Sequence, residues 1–263
     1  MELAGFLASI FIGISLGLIG GGGSILTVPV LVYLFQVDVV LATTYSLFVV
    51  GATSLVGSAR YFKNDLIDIK TVINFGLPSI VGVYLSRQFI LPEIPDIVLQ
   101  IGSIEITKNT FLMLVFAVLM VVAAFKMIKK DHRLSVISPQ KYNYSLVIFQ
   151  GFLVGIITGF VGAGGGFLII PALVGLLKTP MKKAIGTSLL IIAINSAFGF
   201  LTSYQHFGEI NWIFLISISA LAIFGILIGS HLSKNIDGKK LKPAFGWFVV
   251  VMGVFVILKE MLL

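Results

Sequence analysis

Two runs of glycine, about half a chain apart and each inside a long apolar stretch, are the residues best placed to do chemistry. Their chemistry is that of bare backbone. The first run is Gly17-Leu-Ile-Gly-Gly-Gly-Gly-Ser-Ile-Leu-Thr-Val-Pro29, and the second is Gly159-Phe-Val-Gly-Ala-Gly-Gly-Gly-Phe-Leu-Ile-Ile-Pro171. Glycine and proline interrupt a helix. An interrupted helix leaves N–H groups unpaired, and its second arm begins with the positive end of a helix dipole. Such a point holds an oxyanion without any cationic side chain. The candidate binding residues here are Gly20, Gly21, Gly22, Gly23 and Ser24 in the first run, and Gly162, Gly164, Gly165 and Gly166 in the second.

The segment after each run adds hydroxyls and an amide. Ser46, Thr53 and Gly57 share one helical face, as do Ser188, Asn195 and Gly199. Thr44 and Thr187 lie close by, with Ser54 and Ser196. The simpler reading of these groups is interhelical hydrogen bonding, typically about 0.6 kcal/mol each in membrane bundles. Asn195 is costlier to bury and occupies the position equivalent to Thr53, so it joins Thr44, Ser46, Thr53, Thr187 and Ser188 as a candidate ligand group. Gly13, Gly17, Gly225 and Gly229 read instead as packing residues that let helices approach.

Other chemistries find little support. There is no cysteine, which removes thiolates and Cys-ligated metals. No Ser/His/Asp or metal-ligand spacing appears, so neither an enzyme nor a cofactor is expected. The glycine runs lack the Lys-Ser/Thr ending of a phosphate-binding loop. No acid or base falls near the middle of an apolar segment, which argues against a buried carboxylate proton relay.

The elements that must position these residues are membrane helices. Hydrophobic residues make up 58% of the 263 and charged residues 11%, far from soluble-domain usage. The net charge of +7 sits in short loops, where it sets orientation and does not indicate nucleic acid. Apolar stretches run over 3–35, 39–62, 69–91, 111–128, 145–177, 184–204, 212–232 and 245–262. The first and fifth hold the glycine runs and would reach about 50 Å as single helices, against a hydrocarbon core of about 30 Å. Cut at the glycines, each gives two arms of about 15 residues, or roughly 22 Å.

Basic loops mark the cytoplasmic side: Arg60, Lys63 and Lys70; Lys126 to Lys141; Lys178, Lys182 and Lys183; and Lys234 to Lys242. The fifth stretch, flanked by two of them, must enter and return. The first does the same from outside. Each half is then a hairpin plus three crossings, an odd number of reversals, so the second half is inverted.

The predicted fold is an all-α polytopic membrane protein of two inverted repeats, 1–128 and 145–263, joined by a cytoplasmic loop at 129–144. Both termini lie outside a cell (plasma or inner) membrane. Weaker repeat matches align Ala42, Ser46, Leu47, Ser54 and Gly57 with Ala184, Ser188, Leu189, Ser196 and Gly199, and Gly82-x-x-Leu-Ser-Arg87 with Gly229-x-x-Leu-Ser-Lys234. The segment 92–108, without a counterpart, alternates apolar and polar residues around Gly102-Ser103 and reads as a β-hairpin.

The glycine blocks ending in proline, the following Ala184-Ile-Gly-Thr-Ser188 and the Gly-x-x-Leu-Ser-[Arg/Lys] helix ends resemble the sulfite exporter TauE/SafE family over nearly the whole chain. The first half departs from the pattern, with Ala42-Thr-Thr-Tyr-Ser46. The resemblance implies a transporter of small anions, chiefly sulfur oxyanions and organosulfonates such as sulfite or sulfoacetate. The residues themselves leave an anion channel or a transporter of another small organic anion open as alternatives. Partners are then the lipid bilayer and a small anion, with H⁺ or Na⁺ as coupling ion if the direction is import.

Overall fold

The structure is a computed structural model that describes residues 2–101, 104–128, 144–177, 179–203, 208–233 and 238–262. The connection at 129–143, with His132 and Ser135, lies outside the described residues, as do Gly102-Ser103 and His206. The chain folds as helix α1 (Glu2–Ile19), a 3₁₀ turn (Gly21–Leu26), α2 (Thr27–Tyr33), α3 (Val39–Lys63) and α4 (Ile69–Leu85), which ends in a π turn (Ser86–Ile90). Strands β1 (Ile97–Ile101) and β2 (Ile104–Thr107) follow, then α5 (Lys108–Ile128). The second half is α6 (Tyr144–Val161), α7 (Gly166–Leu176), α8 (Met181–Leu201), α9 (Trp212–Leu232) and α10 (Gly238–Leu262). Among the described residues six helices are long and apolar enough to cross a membrane. With α1 and α2 as shorter apolar helices, this is an all-α polytopic membrane protein.

Polar residues at segment ends set where helices begin. Asp38 accepts from the Val40 and Leu41 N–H groups at the start of α3, and Asp68 does the same for Lys70 and Thr71 at α4. Asn211 caps α9 through the Phe214 N–H. Each satisfies backbone donors that a helix start leaves free. The alternating segment after α4 pairs as an antiparallel hairpin, with Ile97 opposite Thr107 and Ile101 opposite Ile104.

The glycine-broken stretches are hairpins. The Phe6 ring, near the start of α1, stacks edge-on against Phe35, just after α2, with centroids 5.4 Å apart; the chain has gone in and come back. In the second half α6 climbs beside α4, Gly151 against Phe75 and Gly159 against Val83. After α7, Gly186 of α8 lies back against Leu66 and Tyr61 near the other end of α4. One face of the protein therefore carries Phe6, Phe35 and the β-hairpin (the β face). The other carries Arg60, Lys63, Lys70 and Lys182 (the basic face). Hairpin plus three crossings leaves the second half upside down relative to the first.

Backbone details repeat between the halves at a spacing of 142 residues. Gly20 N–H donates to Leu16 and Gly162 N–H to Thr158; Val37 donates to Leu31 and Thr179 to Leu173; Ala42 donates to Asp38 and Ala184 to Pro180. Helix pairs also exchange partners between halves. α1 packs on α9 through Gly13, Gly17, Gly225 and Gly229, while α6 packs on α4 through Gly155, Gly159 and Gly82. A methyl on Gly13 would fall on the Ala222 carbonyl, and one on Gly155 on the Ser79 carbonyl. Glycine is required there because backbone meets backbone.

These seams correct one sequence alignment. Gly82 faces Phe152 and Gly155 as Gly225 faces Ile10 and Gly13, and Ser86 faces Gly159 as Gly229 faces Gly17. Gly82 thus corresponds to Gly225, one turn earlier than the Gly82–Gly229 match predicts. The residue equivalent to Arg87 becomes Ser230, not Lys234.

Candidate functional site

The two glycine runs meet. A Cβ on Gly21 would lie 2.5 Å from the Gly166 carbonyl carbon and 2.6 Å from its oxygen, and one on Gly166 would strike the Gly21 backbone. The tips do not stop end to end, as hairpins entering from opposite faces suggest; they pass one another. Gly20 reaches Ile170 and Ile185, and Gly162 reaches Thr43 near the start of α3.

The two breaks differ in form. In the first, Gly20 turns at φ +76° and the chain winds directly into the 3₁₀ turn that contains Gly22. Thr27 N–H then donates to Ser24, so this break is more filled than an open gap of free N–H groups. Ser24 is fully buried and donates its hydroxyl to the Gly21 carbonyl at 2.7 Å. Gly23 packs on Ser15 and Leu16. In the second, Gly162, Gly164 and Gly165 all have positive φ, a conformation that disfavours any side chain. Leu168 and Ile169 N–H groups both turn back to the Gly165 carbonyl. Pro29 and Pro171 occupy equivalent places, and neither has an N–H to give the carbonyl four residues earlier, at Ile25 and Phe167.

Hydroxyls without partners lie on α3, α6 and α8, the helices that touch the second glycine break. Ser46, Ser54, Thr158 and Ser196 each have a buried Oγ that nothing among the described residues bonds. Thr158 abuts Gly165, and Ser196 abuts both Gly51 and Gly164. Buried polar groups are normally paired, and these hydroxyls have no partner among the described residues. Of the stripe residues predicted as ligands, only Ser46 is among them.

Thr53 and Ser188 donate to carbonyls of their own helices, Val49 at 2.6 Å and Ile185 at 2.9 Å. Thr187 accepts from the Asp68 N–H at 2.9 Å near the basic face. Asn195 donates Nδ2 to Ser79 Oγ at 2.6 Å, joining α8 to α4, and its Oδ1 is unpartnered. Ser79 can donate as well as accept, so a reversed amide keeps the bond and presents two N–H donors instead.

Sequence reasoning passed over Arg87. It lies in the π turn ending α4, 5% exposed, and is the one charged side chain among the buried described residues. Its Nη1 donates to Thr44 Oγ1 and Ser203 Oγ, each at 3.3 Å, tying α4 to the start of α3 and the end of α8. Thr44 therefore sits with Arg87 at the β face, away from the Gly21–Gly166 contact. Beside it opens a cavity of about 610 Å³ lined by Asp38, Arg87, Asp96, Lys108, Asn109 and Ser203, among others. A basic residue with no acid near it in sequence, four residues from the end of an apolar segment, was the available signal. At the basic face the matching junction holds Arg60, whose Nη1 donates to the Ser230 carbonyl at 2.8 Å.

A family model described as Sulfite exporter TauE/SafE matches residues 5–256. Probable membrane transporter protein YunE of Bacillus subtilis is 29% identical over 90% of this chain and 90% of its own. A probable membrane transporter protein of Xylella fastidiosa is 28% identical over 94% and 91%, and one of Methanocaldococcus jannaschii is 27% identical over 96% and 94%. No solved structure matches.

Proposed function

The chain belongs to the sulfite exporter TauE/SafE family, and from that premise we propose that it carries small oxyanions or organosulfonates of the sulfite and sulfoacetate type across the cell membrane. The observation that carries the reading is the crossing of two glycine-broken hairpins from inverted halves. Backbone and unpartnered hydroxyls meet there, and no carboxylate appears among the buried described residues. Broken helices at a repeat interface are where transporters place substrate. An anion finds donors at this crossing and no buried negative charge to repel it.

The basic face is cytoplasmic by the charge rule, and both termini then lie outside. Alternating access follows if the hairpin pair moves against the α3–α8 pair, first parting at the β face and then at the basic face. Export is downhill without a coupling ion, because an inside-negative potential drives out each negative charge with about 2.3 kcal/mol per 100 mV. Import requires a co-transported H⁺ or Na⁺.

The test is flux in proteoliposomes. Vesicles loaded with unlabelled sulfite should accelerate uptake of labelled sulfite, and the rate should saturate. Flux that rises linearly with concentration and shows no counter-exchange would make the protein a channel. Absence of flux with every small sulfur oxyanion and sulfonate would remove the proposed substrate class.

A further inference from the structure

Arg87 uses one side of its guanidinium and leaves the other without partners. Nη1 is held by Thr44 and Ser203. Nε and Nη2 are buried and bond to nothing among the described residues. Those two groups are neighbours: the Nε–H and the adjacent Nη2–H point the same way along one edge of the planar guanidinium. That edge matches two oxygens of a single carboxylate, sulfonate or sulfite group. A buried charge normally has a counter-charge, and among the described residues no carboxylate is paired with it, although Asp38 and Asp96 line the same cavity. Asp38, across the cavity, already takes the α3 N–H groups on Oδ1 and Asn109 Nδ2 on Oδ2.

Two further observations place this cation on the substrate's route. Arg87 forms part of the wall of the 610 Å³ cavity at the β face. Its neighbours lead inward to the second glycine break, because Ser86 abuts Gly159 and Thr43, next to Thr44, abuts Gly162. The Ser86 Oγ is also buried and unpartnered. Repeat symmetry does not require the residue, since its equivalent is Ser230.

We infer that Arg87 recognises the anion at the β-face mouth of the pathway: its Nε/Nη2 edge grips two oxygens of one oxyanion headgroup, while Thr44 and Ser203 hold the guanidinium in position. The edge is covered in this structure, so the anion reaches it through a local rearrangement at the β face that leaves the Thr44 and Ser203 bonds in place. The inference rests on the small-anion reading above and assigns the headgroup class to a particular side chain.

Calorimetric titration of the purified full-length protein with fresh sulfite, with sulfoacetate and, for comparison, with chloride tests it. Arg87→Lys keeps the charge and loses the two-donor edge; Arg87→Gln loses both. Each should bind sulfite at least about tenfold more weakly, the size of one charge-assisted hydrogen bond. Arg87→Lys should weaken sulfite more than chloride, because one atom cannot use two donors. Sulfite affinity within about twofold of the parent in both variants, or equal loss for sulfite and chloride in Arg87→Lys, overturns the inference.

If the arginine variants do not stay monodisperse, Thr44→Val with Ser203→Ala decides. It leaves the charge but frees its orientation, and should cost about three- to tenfold in sulfite affinity; no change overturns the inference. A parent protein that binds none of the small oxyanions refutes the proposed function itself, whereas binding that survives every Arg87 and Thr44/Ser203 change refutes only the assignment to Arg87.

Discussion

Adding one methyl group at the hairpin crossing tests the whole architecture. Gly21 and Gly166 are not at positive φ, so Gly21→Ala and Gly166→Ala introduce no backbone strain and act only by volume. A Cβ at Gly21 would sit 2.5 Å from the Gly166 carbonyl carbon, where carbon atoms prefer about 3.5–4.0 Å. The hairpins must part by roughly 1 Å, an overpacking cost of about 1–3 kcal/mol.

If transport needs the crossing closed, that energy corresponds to a loss of flux of about five- to 150-fold. The thermal midpoint should fall by several degrees, at about 2–4 °C per kcal/mol for a chain near this size. The two changes must also interact. Once the first methyl has separated the backbones, the second meets less resistance, so Gly21→Ala/Gly166→Ala should cost less than the sum by at least about 0.5 kcal/mol. Gly208→Ala, with nothing within 4 Å, is the control. Sulfite flux in proteoliposomes and heating scans read both quantities. Parent-like flux and melting in the two single variants, or strict additivity in the double, would show that the runs do not touch.

Four other outcomes are expected. Gly164→Leu should abolish transport while the protein is still made, since a side chain there takes a left-handed φ and meets Val50 and Ser196; Gly22→Leu should do the same, and full flux in both variants reduces the runs to packing. Asn195→Leu should raise the apparent Km for the anion and leave Ser79 unpaired; an unchanged Km in flux assays restricts Asn195 to joining α8 and α4. Single cysteines at Gln36 and Glu209 should react with an impermeant thiol reagent on intact cells, and those at Asn64 and Lys182 only after lysis, with the reverse pattern refuting the orientation. Thr187→Val removes the acceptor of the Asp68 N–H and should cost about 1 kcal/mol in stability with little change in anion affinity, as melting and titration will show.

Much of this was readable in the chain because it depends on local rules. Asp38, Asp68 and Asn211 stand where helices must start, and the apolar stretches end within a few residues of the observed helices. Gly13 and Gly225 keep the spacing of a packing seam. The alternation after Pro92 gave the β-hairpin.

What escaped depends on neighbours far away in sequence. Ser188 and Thr53 satisfy themselves on their own helices, which spacing alone does not distinguish from facing a ligand. Ser196 stands beside the second glycine break only because Gly164 of the hairpin and Gly51 of α3 lie against it. Arg87 reads from sequence as an ordinary basic helix end; Thr44 and Ser203, from two other helices, enclose it. The one-turn slip between Gly82 and Gly229 arose because a repeating small-residue seam offers matches every four residues.

The crossing also constrains how the protein is made. Gly20 and Gly21 get their cover from Gly166, Ile170 and Ile185, all synthesised well over a hundred residues later. At about 5–20 residues per second that interval is on the order of ten seconds. Broken backbone does not sit in bare lipid. The first hairpin must therefore spend that time shielded by the insertion machinery, in water at the membrane surface, or wound as a temporary continuous helix. Its final shape is completed only after translation of the second half.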